Sequence, residues 1–328
     1  MNRWNQAKQL FGLRRRPGAV DKTGPTLRAG TASTKSPLAG SRMEGAGAAG
    51  PRPETKRARS VCIVSGKGGT GKSSVSASLA ALFGRRGATL LLDADLGCAN
   101  AHILQDVHPT HSFADVIAGD VGVADIVTPC ANGVDLLAGG SGFARLAGLR
   151  SYELEMIGRG LEQIEPGYEY LVVDSAAGLS RQTVAFAAAC DVTVLVTTPD
   201  VTAMTDAYAF LKVFVRQCAA QGIERPMPLI VVNRASDEVE AAHVAQRLQD
   251  VVSKFLGLPI EFLGFLPDDR AAFRAMQRRA TVVDGEPDSE LARALSTLSC
   301  SVLARLARVP SPGAGLRLAR GGDWGRES

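Results

Sequence analysis

Val61-Cys62-Ile63-Val64-Ser65-Gly66-Lys67-Gly68-Gly69-Thr70-Gly71-Lys72-Ser73-Ser74 carries a short apolar strand into a glycine-rich loop and then into a helical pattern. Gly66, Gly68, Gly69 and Gly71 let the backbone turn back on itself around Thr70, so that successive N–H groups point inward at an anion. Lys72 supplies a compact positive charge for the β- and γ-phosphates of a nucleotide. The Ser73 hydroxyl is placed for Mg²⁺, with Ser74 following it into the helix. Helix onset between Lys72 and Ser78 adds the positive end of the helix dipole to the same anion site. Strand, loop and helix arrive in the order that a phosphate-binding loop requires.

Working outward, Val75, Leu79 and Leu82 to Phe83 predict a helix closing at Gly84 to Gly87, and Ala88 to Leu92 predicts a buried strand ending at Asp93. The rhythm returns at Tyr170 to Asp174, Val192 to Thr198, Pro228 to Asn233 and Ile260 to Gly264. Short apolar runs alternating with helical patterns predict an α/β fold of the P-loop NTPase type, a mostly parallel sheet with helices on both faces. Functional groups then belong at the carboxyl ends of the strands. Asp93-Ala94-Asp95 puts two carboxylates at one such end, and Asp174 heads Asp-Ser-Ala-Ala-Gly at another, with Gly178 as a hinge. A lone strand-end Asp commonly caps a helix. Beside a phosphate loop, such acids supply what phosphoryl transfer needs, a metal shell and a carboxylate that orients water.

Lys67 is surplus to an ordinary phosphate loop. The order Gly-Lys-Gly-Gly-x-Gly-Lys-Ser resembles the deviant Walker A box of the MinD/ParA family of dimerising ATPases, and the resemblance extends from residue 60 to about 300. It implies ATP and Mg²⁺ as cofactors, with residues 66 to 74 around the phosphates, and an ATP-sandwich homodimer in which Lys67 reaches the partner's nucleotide. It further implies Asp95 as the catalytic carboxylate, aided by Lys67 and Lys72, with Ser73, Asp93 and Asp174 serving the metal and Asn100 lying in the first switch segment. Asn233-Arg234 matches the position where these ATPases recognise adenine, with Pro267 in the adjoining loop Leu266 to Asp269. Asp95-Leu-Gly-Cys-Ala-Asn100, Phe113 to Gly119, Thr198 to Tyr208 and Leu263 to Asp269 are similar to the flagellar number regulators FlhG/FleN, also called YlxH. That likeness implies flagellar assembly proteins and an FlhF-type GTPase as partners. Asn5-Gln6-Ala7-Lys8-Gln9-Leu10-Phe11 occupies the place of the family's GTPase-activating helix but departs from it at Asn5 and Phe11.

Composition adds a division. Of 37 Lys+Arg and 33 Asp+Glu, residues 1 to 59 hold 13 and 3, leaving a net of −6 for the remainder. Residues 1 to 16 predict an amphipathic partner-binding helix through Trp4, Ala7, Leu10 or Phe11, and Leu13. Residues 17 to 59, rich in Gly, Pro, Ala, Ser and Thr, predict a flexible basic linker, so the ATPase domain (60 to 309) is preceded by a disordered leader. A flexible tail is expected from 310 to 328. The Arg-rich start also mimics a transit peptide. Six cysteines without a Cys-x-x-Cys pair argue against zinc and redox sites and are read as reduced and mostly buried. No apolar run approaches the ~20 residues of a membrane span. The chain is therefore expected in the cytoplasm, and the resemblance to MinD relatives implies peripheral contact at the inner face of the membrane. Leu291, Leu295, Leu298, Val302, Leu306 and Val309 form a stripe read as the last core helix, with a membrane-targeting helix as the competing reading. The negative domain argues against nucleic acid as a partner. A MinD/ParA-type positioning or DNA-partitioning ATPase of another system, and an ATP-dependent metabolic ligase of the same fold, are the alternatives.

Overall fold

Arg59–Val64 form the first strand, β1, and all but its first residue are buried. Val61 and Ile63 face one layer of helices while Cys62 and Val64 face the other, because successive side chains of a strand point to opposite sides. A strand buried on both faces has to be apolar throughout, which is how this run reads. In the computed structural model the described residues are 57–95, 99–131, 133–140, 149–220 and 228–309. The helix expected over 1 to 16, the linker up to residue 56, the switch residues 96–98 and the tail from 310 lie outside them. Ala58 is fully buried and Arg59 is already in β1, so the folded part begins before residue 60, inside the stretch assigned to the linker.

The remaining strands are β2 (Thr89–Ala94), β3 (Val127–Pro129), β4 (Val134–Leu137), β5 (Tyr170–Ser175), β6 (Val192–Thr197), β7 (Leu229–Ala235) and β8 (Glu261–Pro267). They form one sheet in the order β3-β4-β2-β5-β1-β6-β7-β8, parallel except where β3 meets β4. The α-helices are α1 (Lys72–Gly84), α2 (Ala101–Leu104), α3 (Phe113–Ala118), α4 (Ser151–Ile164), α5 (Arg181–Ala189), α6 (Val201–Ala220), α7 (Glu238–Leu256), α8 (Ala271–Gln277), α9 (Val282–Gly285) and α10 (Glu290–Leu306). One core joins the sheet to α1 and α10, through Val75, Leu79, Phe83, Leu295 and Leu298. The other core covers the opposite face through Leu154, Phe186, Phe210, Phe214 and Leu248 of α4 to α7. The mostly parallel sheet flanked by helices is the fold expected from the sequence, with β3 and β4 added to it.

β1 sits in the middle of the sheet, with β5 on one side and β6 on the other. The loop after β1 therefore opens between strands that leave in opposite directions along the sheet, the crevice where open α/β folds bind ligands. Register sets the level of the acids. Asp93 pairs with Asp174 across β2 and β5, and Asp174 pairs with Ile63 of β1. The two carboxylates thus stand side by side at the ends of their strands, next to the mouth of the glycine loop.

The stripe on α10 is core. Leu291, Leu295, Leu298, Val302 and Leu306 are all buried, and Arg59 donates a hydrogen bond to the Leu306 carbonyl, tying the last helix to the first strand. None of the helices among the described residues is long and apolar enough to cross a membrane.

Candidate active site

The glycine loop is held open by its neighbours. Gly71 adopts a left-handed backbone (φ 87°), and a Cβ placed on it would lie 2.2 Å from Asn233 Nδ2. Gly66 is closed in from the other side, since a Cβ there would lie 2.2 Å from the Asp206 backbone in α6. Only glycine fits both positions. Asn233 Nδ2 donates to the Thr70 carbonyl at 2.7 Å, and the Gly178 N–H donates to the Ser65 carbonyl at 2.9 Å. The loop is therefore stitched to the end of β7 and to the turn after β5. Thr70 Oγ1 is buried without a hydrogen-bond partner, a polar atom open to a ligand inside the cradle.

Lys72 and the two acids form a buried charge cluster. Lys72 Nζ donates to Asp174 Oδ1 at 2.7 Å, with the side chains 7% and 2% exposed. Nζ also lies 3.4 Å from Ser73 Oγ. The Ser76 hydroxyl stands 3.0 Å from both Asp174 Oδ1 and the Lys72 carbonyl, and its single proton serves one at a time. Asp93 has a different set of partners. Its Oδ1 accepts the Asp95 N–H, and its Oδ2 accepts the N–H groups of Asn100 and Ala101, both at 2.9 Å. It thereby caps α2 from a distance and ties down both ends of the segment between Asp95 and Asn100. Burial and the adjacent Asp174 carboxylate push Asp93 up to about 7, outweighing the opposite pull of the Ala101 N–H and Lys72.

The site's oxygen donors suit a hard cation. No group of three or more His, Cys, Asp or Glu among the described residues could hold a metal by itself. Mg²⁺ is instead commonly held by one or two protein oxygens plus substrate phosphates and waters. Ser73 and the paired acids fit that pattern.

Asn233 and Arg234 open a second compartment. A cavity of about 410 Å³ runs from Gly71 and Ser74 to Asn233, Arg234, Pro267 and Phe273. Asn233 also accepts the Arg234 N–H on Oδ1 at 3.0 Å, and Arg234 takes a left-handed backbone (φ 60°). The amide keeps one N–H and one lone pair beyond these bonds. Arg234 reaches Asp268 at 3.3 Å on the exposed rim. The sequence-predicted pair and Pro267 thus line one cavity contiguous with the phosphate loop. Lys67 stands apart from Lys72: exposed, it donates to Thr202 Oγ1 at 2.8 Å at the start of α6, beside Val201, which is 70% exposed.

Three participants escaped the sequence reading. Ser76 and Gln182 are single polar residues outside any motif, and Thr202 lies in the stretch Thr198 to Tyr208 with no role of its own until the fold shows its bond. Gln182 donates to the Ala94 carbonyl at 3.0 Å. The one sequence signal for Ser76 is its spacing, four residues after Lys72 on the same helix face.

Residues 61–282 match the model of the CobQ/CobB/MinD/ParA nucleotide binding domain. Over 245 residues the chain is 31% identical to the antiactivator FleN of Pseudomonas aeruginosa, covering 74% of this chain and 85% of that protein. It is 27% identical over 248 residues to the flagellum site-determining protein YlxH of Helicobacter pylori, with 75% and 82% covered. Among solved structures, the septum site-determining protein MinD of Pyrococcus horikoshii, complexed with Mg-ADP, superposes with a TM-score of 0.63 at 25% identity, covering 77% of this chain and all of that one.

Proposed function

The chain belongs to the CobQ/CobB/MinD/ParA nucleotide-binding family, and we propose on that premise that it is an ATP-driven dimerisation switch acting on flagellar number and placement. It is a P-loop ATPase that uses ATP with Mg²⁺, of the flagellar-number or positioning kind. The observation that carries the switch reading is the separation of the two loop lysines. Lys72 is buried against Asp174 beneath the loop, whereas Lys67 is exposed on the rim beside Val201. A lysine that serves only its own phosphates has no need to face outward. Leu179, exposed just after Gly178, adds apolar area at the end of the second switch segment. Lys67 is accordingly assigned to the nucleotide of a second copy.

In the proposed reaction the loop N–H groups of residues 66 to 74 and Lys72 receive the phosphates. Lys72 exchanges Asp174 for phosphate oxygens as they arrive, and that exchange frees an Asp174 oxygen. Ser73, Asp174 and Asp93 serve the metal shell. When bound, Mg²⁺ neutralises charge on the phosphates and polarises them for attack. Asp95 orients water. The water oxygen bonds to the γ-phosphorus as the bond to the β,γ-bridging oxygen breaks, and the proton shed by water ends on the released phosphate. Phosphoryl transfer asks chiefly for this positioning and charge stabilisation. Asn233, Arg234 and Pro267 take the adenine in the adjoining cavity.

Flagellar assembly components and an FlhF-type GTPase are the proposed partners, with contact at the inner face of the membrane secondary. Replacing the native copy of the gene by Lys72→Ala tests the flagellar assignment by counting filaments per cell. A changed number or position supports it. Unaltered flagellation would assign the switch to another positioning system.

A further inference from the structure

The peptide that joins Ala94 to Asp95 is gripped at both of its polar atoms. Its N–H donates to Asp93 Oδ1 at 3.2 Å, and its carbonyl accepts from Gln182 Nε2 at 3.0 Å. A peptide unit is planar and its C–N bond resists rotation. Holding the N–H and the C=O from opposite edges therefore fixes the tilt of the whole plane, and the Asp95 Cα is one of the atoms in it. Gln182 is only 5% exposed, in the first turn of α5, two residues after the Ser180 cap. That helix follows directly on the turn in which the Gly178 N–H bonds to the Ser65 carbonyl at the entrance to the glycine loop. The amide thus spans from the second switch segment to the backbone of the first.

We infer that Gln182 is a positioning residue for hydrolysis, setting the backbone from which Asp95 addresses the attacking water and coupling that setting to the position of α5. The inference rests on the assignment of Asp95 above. An apolar side chain of similar volume would fill the space under α5 equally well, but it would leave the Ala94 carbonyl without this donor. Because the Gln182 amide bonds to the Ala94 carbonyl and Gln182 is not among the residues that line the base cavity, its loss should act on turnover and spare binding.

The test uses the full chain with Gln182→Met, which keeps length and volume but removes the donor, and Gln182→Glu, which turns an acceptor toward the carbonyl. Turnover should fall about tenfold to a hundredfold, the range that small misplacements of reacting groups produce. Affinity for a non-hydrolysable ATP analogue should stay near wild type in Gln182→Met, and the melting temperature should fall by only a few degrees, the cost of one buried carbonyl that loses its donor. Adding Gln182→Met to Asp95→Ala should not lower the residual single-turnover rate further. Wild-type turnover in both variants would overturn the inference, as would a parallel loss of affinity and melting temperature, which marks a role in the fold alone. A further multiplied loss on the Asp95→Ala background would also overturn it, since Gln182 would then act through another group. Normal turnover by Asp95→Ala itself would instead remove the assignment of Asp95.

Discussion

Lys72 and Asp95 lie within one site but are given separable tasks. Lys72 is assigned to phosphates in the ground state, whereas Asp95 is assigned to water only as the transition state forms. Lys72→Ala should therefore abolish ATP binding, and Asp95→Ala should keep binding and lose turnover, as titration calorimetry and a phosphate-release assay can read. Lys72→Ala also strips the buried Asp174 of its cation, a change expected to cost on the order of 3 kcal/mol in denaturant unfolding. Adding Asp174→Asn removes the stranded charge and should restore much of that stability but no binding. Gly71→Ala forces a side chain into a left-handed backbone and onto the Asn233 amide, a strain of about 1–3 kcal/mol measurable by urea titration. Gly68→Ala, with nothing within 4 Å of the added methyl, should leave stability nearly unchanged. The loop and the strand-end acids were legible because each residue type is tied to its place by chemistry. Asp93 was legible only as an acid: that both its oxygens hold the N–H groups of Asp95, Asn100 and Ala101 depends on how the chain returns eight residues later.

At the scale of elements, legibility followed burial and length. β1, β2, β5, β6 and β7 are largely apolar runs because helices cover both faces of the sheet, and the sequence placed each within one or two residues of its observed limits. β3 and β4 have three and four residues, and Asp135 interrupts the second, so neither builds a readable period. β3, at the edge of the sheet, needs less apolar length still, since only one of its sides pairs. The helical stripe near the end of the chain was readable as amphipathic, but its direction was not, because a core helix and a membrane-surface helix share the same period. The buried side chains of α10 decide for the core. Leu298→Ala should lower unfolding stability by about 2–5 kcal/mol. The same variant should leave co-sedimentation with anionic liposomes at the wild-type level, whatever that level is. A loss of vesicle binding without a loss of stability would contradict the placement of this helix.

The whole molecule joins a nucleotide-binding domain to an N-terminal segment of opposite net charge, to which independent roles are assigned. Deleting residues 2 to 16 should leave ATP binding and dimerisation intact while lowering stimulation of an FlhF-type GTPase. Restoring Asn5→Asp and Phe11→Arg should raise it, since these changes return a charge and a guanidinium fork to the segment. If the deletion releases the protein from anionic liposomes and leaves GTPase stimulation unchanged, the leader is a membrane anchor. Above these parts stands the claim that ATP brings two copies together, with Lys67 crossing between them. The direct measurement is the mass of Asp95→Ala by light scattering, with Mg²⁺ and saturating ATP and without nucleotide. The account predicts twice the monomer mass with ATP, the monomer mass without it, and no doubling when Lys67→Ala is added although ATP still binds. A monomer mass for nucleotide-loaded Asp95→Ala would contradict it.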